Sequence, residues 1–261
     1  MTEENILSIK DLTYSYGNEL KKGELVLNRL SFALKRGELL CIVGPSGCGK
    51  TTLLNLIAGF LIPVEGEIRS SDVNKKVGYI FQNDALFPWR KVFGNIVLGL
   101  EVNGHKIYND ELKLNGVIEE YLDIFNLESS ILDKYPDQLS GGMRQRVSLI
   151  QSLMYNPDLL LLDEPFASLD FYTKLRLEDE FWKLVQKKRK SAILVTHDID
   201  EAIAISHRIL VMGNSPIGII KEIEIDFDMI VRTPELVRGH PKFTDYFNTI
   251  WSELRGAIRN D

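Results

Sequence analysis

A glycine-rich segment between a predicted buried strand and a predicted helix constrains this chain more than any other feature. Residues 44–51 have the sequence GPSGCGKT, which fits G-x-x-x-x-G-K-[ST]. Glu38–Val43 contains a short apolar run typical of a strand buried on both faces, and Thr51–Phe60 has a helical pattern. Glycines let backbone N–H groups converge on phosphate oxygens, and the N-terminus of the following helix favours the same anion. The segment predicts a phosphate-binding loop in an α/β protein, the alternative being a plain glycine-rich turn.

The loop supplies most of the candidate nucleotide-binding residues. Lys50 is a mobile point charge for the β- and γ-phosphates, and the Thr51 hydroxyl suits Mg²⁺. Cys48 is either a tolerated small side chain or a thiol with thiolate character at a helix N-terminus, whose alkylation would block nucleotide binding. The candidates in this segment are Gly44, Pro45, Ser46, Gly47, Cys48, Gly49, Lys50, Thr51 and Thr52.

Polar residues end three further predicted strands. Leu159–Leu162 leads into Asp163 and Glu164, and ligands lie at the ends of strands in parallel sheets. Asp163 is placed to hold Mg²⁺ through its waters, and Glu164 to orient or deprotonate an attacking water. The alternative is a solvated acidic turn. His197 is a candidate γ-phosphate contact, and Gln82 a candidate ligand of the metal or water.

These assignments give a predicted site. The predicted catalytic residues are Lys50, Glu164 and His197, and the predicted metal ligands are Thr51, Gln82 and Asp163.

The order of predicted elements indicates an α/β sheet with an insertion. Strand patterns alternate with helical patterns after residue 158, which implies a parallel sheet, and Val92–Asn156 is mostly helical. After Asp228, apolar residues fall on one helical face, which either packs on its own domain or docks a partner. These residues are Phe243, Phe247, Ile250, Leu254 and Ile258.

Composition excludes several classes of protein. A net charge of −6 disfavours broad nucleic-acid binding, and no apolar run approaches the ~18–20 residues of a membrane span. The N-terminus lacks the basic and apolar regions of a signal peptide, and the two cysteines have no metal-ligand spacing. We therefore expect a protein of the reducing cytosol whose membrane association, if any, is peripheral.

Leu139–Arg146, with the sequence LSGGMRQR, opens one of the predicted helices. This segment resembles the signature sequence of ABC-transporter ATPases, although Met143 stands where many members have Gln. The resemblance covers residues 6–228 and seven motifs in the family's order. The motifs are Tyr16, Gly44–Thr51, Gln82, Leu139–Arg146, Leu159–Glu164, Ser168–Asp170 and His197.

The resemblance implies a fold, cofactors and a partner copy. The implied fold is a P-loop NTPase (RecA-like) core with an N-terminal antiparallel β-subdomain and an inserted α-helical subdomain. It implies a nucleotide-binding domain over 1–228, with the insertion at about 92–156, and a C-terminal helical tail over 229–261. Tyr16 would stack on the adenine of ATP–Mg²⁺. Ser140, Gly141 and Gly142 would meet the ATP held by a second copy in a homodimer.

Within the family, the motifs look like the nitrate/sulfonate/taurine importer group. The resemblance then implies an ATPase at the cytoplasmic face of the membrane, which powers a separate permease served by a solute-binding protein. Ala85–Arg90 corresponds to the permease contact, unless Phe87 and Trp89 are core residues.

Other functions stay open at this point. They are import of another small solute, such as a thiamine-precursor pyrimidine, and a non-transport ABC ATPase. A GTPase switch lacks its Asn-Lys-x-Asp motif, since Asn74–Val77 has no Asp, and a small-molecule kinase would not need Leu139–Gly142.

Overall fold

Two β-sheets form in the residues that the computed structural model describes, which are 5–16, 25–72, 76–104, 110–216 and 218–259. The larger sheet has the strand order β5-β6-β7-β3-β8-β9 and the smaller one β2-β1-β4. The strands are β1 (Asn5–Ser15), β2 (Leu25–Lys35), β3 (Leu39–Val43), β4 (Glu65–Ser70), β5 (Val77–Ile80), β6 (Leu159–Asp163), β7 (Ser191–Thr196), β8 (Arg208–Met212) and β9 (Ile219–Glu224).

The larger sheet is parallel except at one edge. Strands β5, β6, β7, β3 and β8 pair in parallel, and β9 pairs with β8 in antiparallel orientation. The smaller sheet is antiparallel throughout. The predicted α/β fold with an N-terminal antiparallel sheet is confirmed, whereas the sequence analysis did not predict β9.

Both faces of the parallel sheet are buried. Leu39, Cys41 and Val43 belong to one hydrophobic cluster, while Leu40 and Ile42 point to the opposite face and belong to the other. This division follows from the alternation of side chains along a strand, and it accounts for the continuous apolar run before the glycine-rich loop. Burial of each leucine of such a strand stabilises the fold by roughly 1.5–3 kcal/mol.

Helices cover the sheet and form the insertion. Four of the described helices, α2 to α5, lie in sequence between β5 and β6, which are hydrogen-bonded neighbours. The polypeptide thus leaves the sheet after β5, forms these helices, and returns to the next strand. The helices are α1 (Lys50–Ile57), α2 (Val92–Ile96), α3 (Leu98–Val102), α4 (Glu111–Ile124), α5 (Gly141–Leu153), α6 (Phe171–Lys188), α7 (Ile199–Ile205), α8 (Pro234–Arg238) and α9 (Pro241–Arg259).

The C-terminal helix α9 packs on the protein's own core. Phe243, Ile250 and Leu254 are buried, and α9 contacts α7 and β8. The prediction that this apolar face packs on its own domain therefore holds, although the side chain of Ile258 lies outside the described residues. The short helix α8 was not predicted. Among the described helices, none is both long and apolar enough to span a bilayer.

Candidate functional site

The glycine-rich loop leaves the start of α1 uncapped. Gly49 has φ +98°, and a Cβ there would lie 2.8 Å from Leu27 Cδ2, so both conformation and space require glycine. Among the residues that the structure describes, no side chain caps α1. Because the first N–H groups of an α-helix have no intrahelical partners, this end offers donors and a positive dipole to an anion.

An open cleft of about 550 Å³ lies over this helix end. It brings together residues from separate parts of the sequence, including Tyr16, the loop, Gln82, Glu164 and His197. The cleft is lined by Tyr16, Val26, Ser46, Gly47, Gly49, Lys50, Thr51, Thr52, Gln82, Glu164 and His197. The expected convergence of polar residues at the strand ends is therefore present.

Glu164 contacts two other predicted site residues, His197 and Gln82. Its Oε2 atom lies 3.1 Å from His197 Nδ1 and accepts a hydrogen bond from Gln82 Nε2 at 3.3 Å. Glu164 has φ +46°, and its backbone N–H donates to Val195 O at 2.9 Å. This left-handed conformation directly after β6 is uncommon for a non-glycine residue. The arrangement presents a carboxylate to the cleft beside an imidazole and an amide.

Asp163, one residue earlier, contacts the loop instead of the histidine. Thr51 Oγ1 donates to Asp163 Oδ1 at 3.0 Å. Burial raises the pKa of Asp163, and the neighbouring charge of Glu164 adds to this effect, while Thr51 and Lys50 oppose it. The hydroxyl, the carboxylate and the nearby amide of Gln82 supply the oxygen ligands that Mg²⁺ prefers. The residues present thus fit a magnesium site.

Tyr79 is a neighbour of this site that sequence reasoning missed. It lies on β5 opposite Leu161, two residues before Asp163 on β6, and its hydroxyl donates to Asn55 Oδ1 at 3.1 Å. Burial raises the pKa of Tyr79, and the charge of Asp163 raises it further. Its position three residues before Gln82 was the available signal, because both belong to the strand segment that ends at the cleft.

The Lys50 side chain hydrogen-bonds to the backbone of the glycine-rich loop. The Nζ atom donates to the carbonyl oxygens of Gly44 at 2.8 Å and Pro45 at 3.0 Å. An ammonium has three donors, and the third is directed at Cys48 Sγ at 3.9 Å, a weak acceptor that a phosphate oxygen can replace. The side chain is buried, which strengthens its interaction with any anion that enters the cleft.

Tyr16 forms the outer wall of the cleft. Its hydroxyl lies 2.9 Å from Thr52 Oγ1, and its ring packs edge-on against Tyr14 with centroids 5.2 Å apart. The side chain is 68% exposed. A ring that is held at its edge and its hydroxyl but open elsewhere can stack on a planar base.

Cys48 does not have the thiolate character that its position suggested. The residue is 2% exposed, and its Sγ atom would lie 2.7 Å from a Cβ at Gly44. Burial raises the pKa of the Cys48 thiol, and this effect exceeds the opposing effects of Lys50 and the backbone N–H groups. Of the two interpretations of Cys48, its burial and raised pKa therefore favour the tolerated small side chain over the thiolate.

Ser140, Gly141 and Gly142 do not line the cleft. They lie at the start of α5, where Ser140 Oγ caps the helix by accepting from Met143 N at 3.3 Å. A Cβ at Gly142 would lie 2.7 Å from Thr173 Cγ2, so packing against α6 requires that glycine. Within the described part of the chain, the atom that a Cβ at Gly141 would meet is Arg144 Nη2 at 4.0 Å, so packing does not require glycine at position 141.

The segment after Gln82 carries an exposed aromatic pair. Phe87 and Trp89 stack with centroids 5.0 Å apart and planes 12° apart. Trp89 is 72% exposed, so core packing does not explain it, whereas Phe87 is half-buried.

The fold and the cleft together define a P-loop NTPase: an uncapped helix follows a glycine loop, and a carboxylate pair and a histidine lie at the ends of neighbouring strands. The family model described as "ABC transporter" matches residues 27–167. The chain belongs to the ABC transporter family, as an ABC-type ATPase, and the sequence-based prediction of that class is confirmed.

Three curated relatives align with most of this chain. The uncharacterized ABC transporter ATP-binding protein YtlC of Bacillus subtilis is 39% identical over 255 residues, which is 96% of each chain. The taurine import ATP-binding protein TauB of Roseobacter denitrificans is 38% identical over 259 residues, or 94% of each chain. The aliphatic sulfonates import ATP-binding protein SsuB of Bacillus cereus is 42% identical over 204 residues, covering 76% of this chain and 78% of the relative. These names agree with the predicted resemblance to the nitrate/sulfonate/taurine group.

Solved structures of ATP-binding cassettes share the fold. The cassette MJ0796, in a dimeric post-hydrolysis state bound to ADP and Pi, aligns with a TM-score of 0.72 and 30% identity over 84% of this chain and 99% of that one. The cbiO1 protein of Clostridium perfringens, part of the transporter complex cbiONQ, has a TM-score of 0.72 and 25% identity over 91% and 92%.

Proposed function

We propose that this chain is the ATPase subunit of an importer for a small anionic solute, and that hydrolysis takes place in the cleft over α1. The observation that carries the proposal is the contact of Glu164 Oε2 with His197 Nδ1 at 3.1 Å. Both residues line the cleft over the uncapped start of α1. Phosphoryl transfer to water needs positioning and charge neutralisation more than covalent chemistry, and these residues provide both.

Each side chain has a role in the proposed reaction. Glu164 accepts a proton from the attacking water, whose oxygen bonds to the γ-phosphorus while the bond from that phosphorus to the bridging oxygen breaks. Lys50 and the loop N–H groups hold the β- and γ-phosphates, and His197 contacts the γ-phosphate. Thr51, Asp163 and Gln82 would hold Mg²⁺, which when bound neutralises charge on the phosphate oxygens.

A second copy of the chain completes the proposed site. The start of α5 also places small residues at a helix N-terminus, although Ser140 caps it, and it lies outside the cleft. The open space at Gly141 would admit the γ-phosphate of an ATP held by the partner. Binding of ATP across two chains favours the closed dimer by linkage, and loss of the γ-phosphate reopens it.

The names of two relatives and one exposed surface support our proposal for the transported solute and the membrane partners. TauB and SsuB are named for import of taurine and aliphatic sulfonates, so we propose a sulfonate-like anion. The exposed Phe87–Trp89 pair would bind a permease subunit at the cytoplasmic face of the membrane, and a solute-binding protein would deliver the cargo. A pyrimidine precursor of thiamine is the second candidate solute, and no nucleic acid is expected as a partner.

We retain the predicted division of the chain in this proposal. The nucleotide-binding domain spans 1–228 with the helical insertion at about 92–156, and 229–261 form the tail. The position of α2–α5 between two paired strands supports the insertion.

Replacement of Glu164 by Gln tests the ATPase mechanism. ATP should still bind, turnover should fall by about 10²–10⁴-fold because the base is lost, and an ATP-bound dimer should accumulate. Exchange of the exposed Glu119 for Gln is the matched control and should leave turnover unchanged. Wild-type turnover in the Glu164 variant would contradict the mechanism.

Uptake assays test the solute. The ATPase, its permease and its solute-binding protein would be reconstituted in vesicles with labelled taurine, an alkanesulfonate or a pyrimidine. Uptake of the sulfonates but not the pyrimidine supports the proposal, and the opposite preference contradicts it.

A further inference from the structure

A buried ionic cluster lies behind His197, between α6, α7 and α8. Lys174 Nζ on α6 lies 2.6 Å from Asp198 Oδ2 and 2.8 Å from Glu201 Oε2. It also lies 4.0 Å from Glu178 Oε1, and Arg238 on α8 pairs with the other oxygen of Glu178. The side chains of Glu178 and Glu201 are 0% and 2% exposed.

Lys174 is the central cation of this cluster. The carboxylates of Glu178, Asp198 and Glu201 all approach it, whereas Arg238 pairs with one of these three carboxylates, that of Glu178. Removal of a buried cation such as Lys174 is costly, because it leaves the buried carboxylates without a compensating charge. A cation near the start of a helix is also disfavoured by the helix dipole, so the stability of α6 does not account for a lysine there.

The cluster fixes the residue that follows His197. Asp198 Oδ1 caps α7 by accepting from Glu201 N at 3.2 Å, and Asp198 N donates to Thr196 Oγ1 at 3.0 Å. Both contacts are local. The ion pair from Asp198 to Lys174 ties this loop to a separate element, α6, which begins directly after the Ser168–Asp170 motif.

The His197 ring itself has little support. It is 60% exposed, and within the described residues its polar contact is the one with Glu164 Oε2. Its position relative to Glu164 therefore depends on its backbone, and hence on Asp198.

We propose that Lys174 is a positioning residue for ATP hydrolysis, because its ion pair with Asp198 holds the His197 loop where the imidazole reaches Glu164. The inference rests on the proposed roles of His197 and Glu164. Lys174 touches neither residue and acts through Asp198.

Histidine NMR and turnover test the proposal together, in full-length protein with ¹³C-labelled histidine rings. When Glu164→Gln is the one substitution, the His197 ring signal should shift relative to wild type, because the two side chains are in contact. In a Lys174→Met background this shift should disappear. The kcat of Lys174→Met with Glu164 intact should fall by about a hundredfold with an almost unchanged KM for ATP, since small misplacements have effects of that size. Lys174→Arg, which keeps the cation, should recover most of the loss.

Arg238→Met is the matched control. It removes the second cation of the same cluster but has no contact with Asp198, so it should lower stability while keeping both the NMR shift and kcat. If Lys174→Met does not fold, Asp198→Asn breaks the same ion pair while the Asn side chain still caps α7. Asp198→Asn should give the same two changes as Lys174→Met.

The outcomes separate this inference from the proposed function. Retention of the NMR shift in the Lys174→Met or Asp198→Asn protein overturns the inference, as does equal loss of kcat in Arg238→Met. Unchanged kcat with a lost shift overturns it too. A Glu164→Gln protein that hydrolyses ATP normally would instead contradict the proposed function, and the shift measurements would still report on Lys174.

Discussion

Alanine at each of the two signature glycines should separate packing from ligand binding. At Gly142, the new Cβ would lie 2.7 Å from Thr173 Cγ2, about 1 Å inside ordinary carbon–carbon contact. Overpacking of this kind destabilises by about 1–3 kcal/mol, and the gain of roughly 0.5–1 kcal/mol from replacing a helical glycine offsets part of it. We expect Gly142→Ala to lose about 1 kcal/mol, a fall in Tm of about 2–4 °C for a chain of this size. Adding Thr173→Ser to the Gly142→Ala protein removes the methyl group that clashes with the new Cβ, so it should recover the lost stability.

Gly141→Ala should behave in the opposite way. The new Cβ would be 4.0 Å from its nearest neighbour, an atom of Arg144, so folding stability should stay equal or rise by up to about 1 kcal/mol. Turnover should nevertheless fall, because the methyl group would occupy the space proposed for the partner's γ-phosphate. Thermal unfolding and steady-state ATPase assays on the same samples give both quantities. Normal turnover in a stable Gly141→Ala protein would refute the role of this glycine, and a Gly142→Ala protein as stable as wild type would refute the packing argument.

Three further predictions concern single side chains. Tyr16→Ala should weaken ATP binding by about 1–3 kcal/mol in equilibrium titrations while Tyr16→Phe retains it; equal affinity in all three proteins would mean that another residue holds the adenine. Cys48 should react with an alkylating reagent far more slowly in the native protein than after denaturation, and rapid native labelling would contradict its burial. Burial raises the pKa of Glu201 from 4.5 to about 7, so the folded state binds more protons than the unfolded state between those pH values, and stability falls as pH rises through them. Burial also lowers the pKa of His207 to about 4, which makes stability rise over the same range in both wild type and Glu201→Gln. Urea unfolding at pH 5 and 8 should therefore show that the stability of wild type relative to Glu201→Gln falls by about 2–3 kcal/mol, and an unchanged difference between the two proteins would contradict the assignment.

The candidate site residues could be predicted where they belong to one continuous segment or lie at the end of a recognisable strand. The strand, loop and helix around Lys50 form one continuous segment, and the polar residues at the strand ends converge because parallel strands bring their carboxyl ends to one edge. The contact of Glu164 with His197 is a consequence of β6 and β7 being neighbours, which the sequence indicates only as two similar apolar runs.

Other features depend on contacts that no local pattern shows. Strand β9 is half-exposed and alternates only weakly, so its pairing with β8 was not apparent. The position of Cys48 at a helix N-terminus suggested a lowered pKa, but the surrounding packing, which only the fold reveals, outweighs the dipole. The cluster around Lys174 joins residues from three helices, and each is an ordinary charged residue in its own segment.

A purified mixed dimer tests the central claim, that ATP held by the loop of one copy is enclosed by the signature of the other. One chain carries Lys50→Ala, the other carries Gly141→Glu, and two affinity tags select the pair. Each parent homodimer should be inactive. The mixed dimer keeps one intact loop facing one intact signature, so it should show about half of wild-type turnover if the two sites work independently. A mixed dimer as inactive as its parents would contradict the shared site.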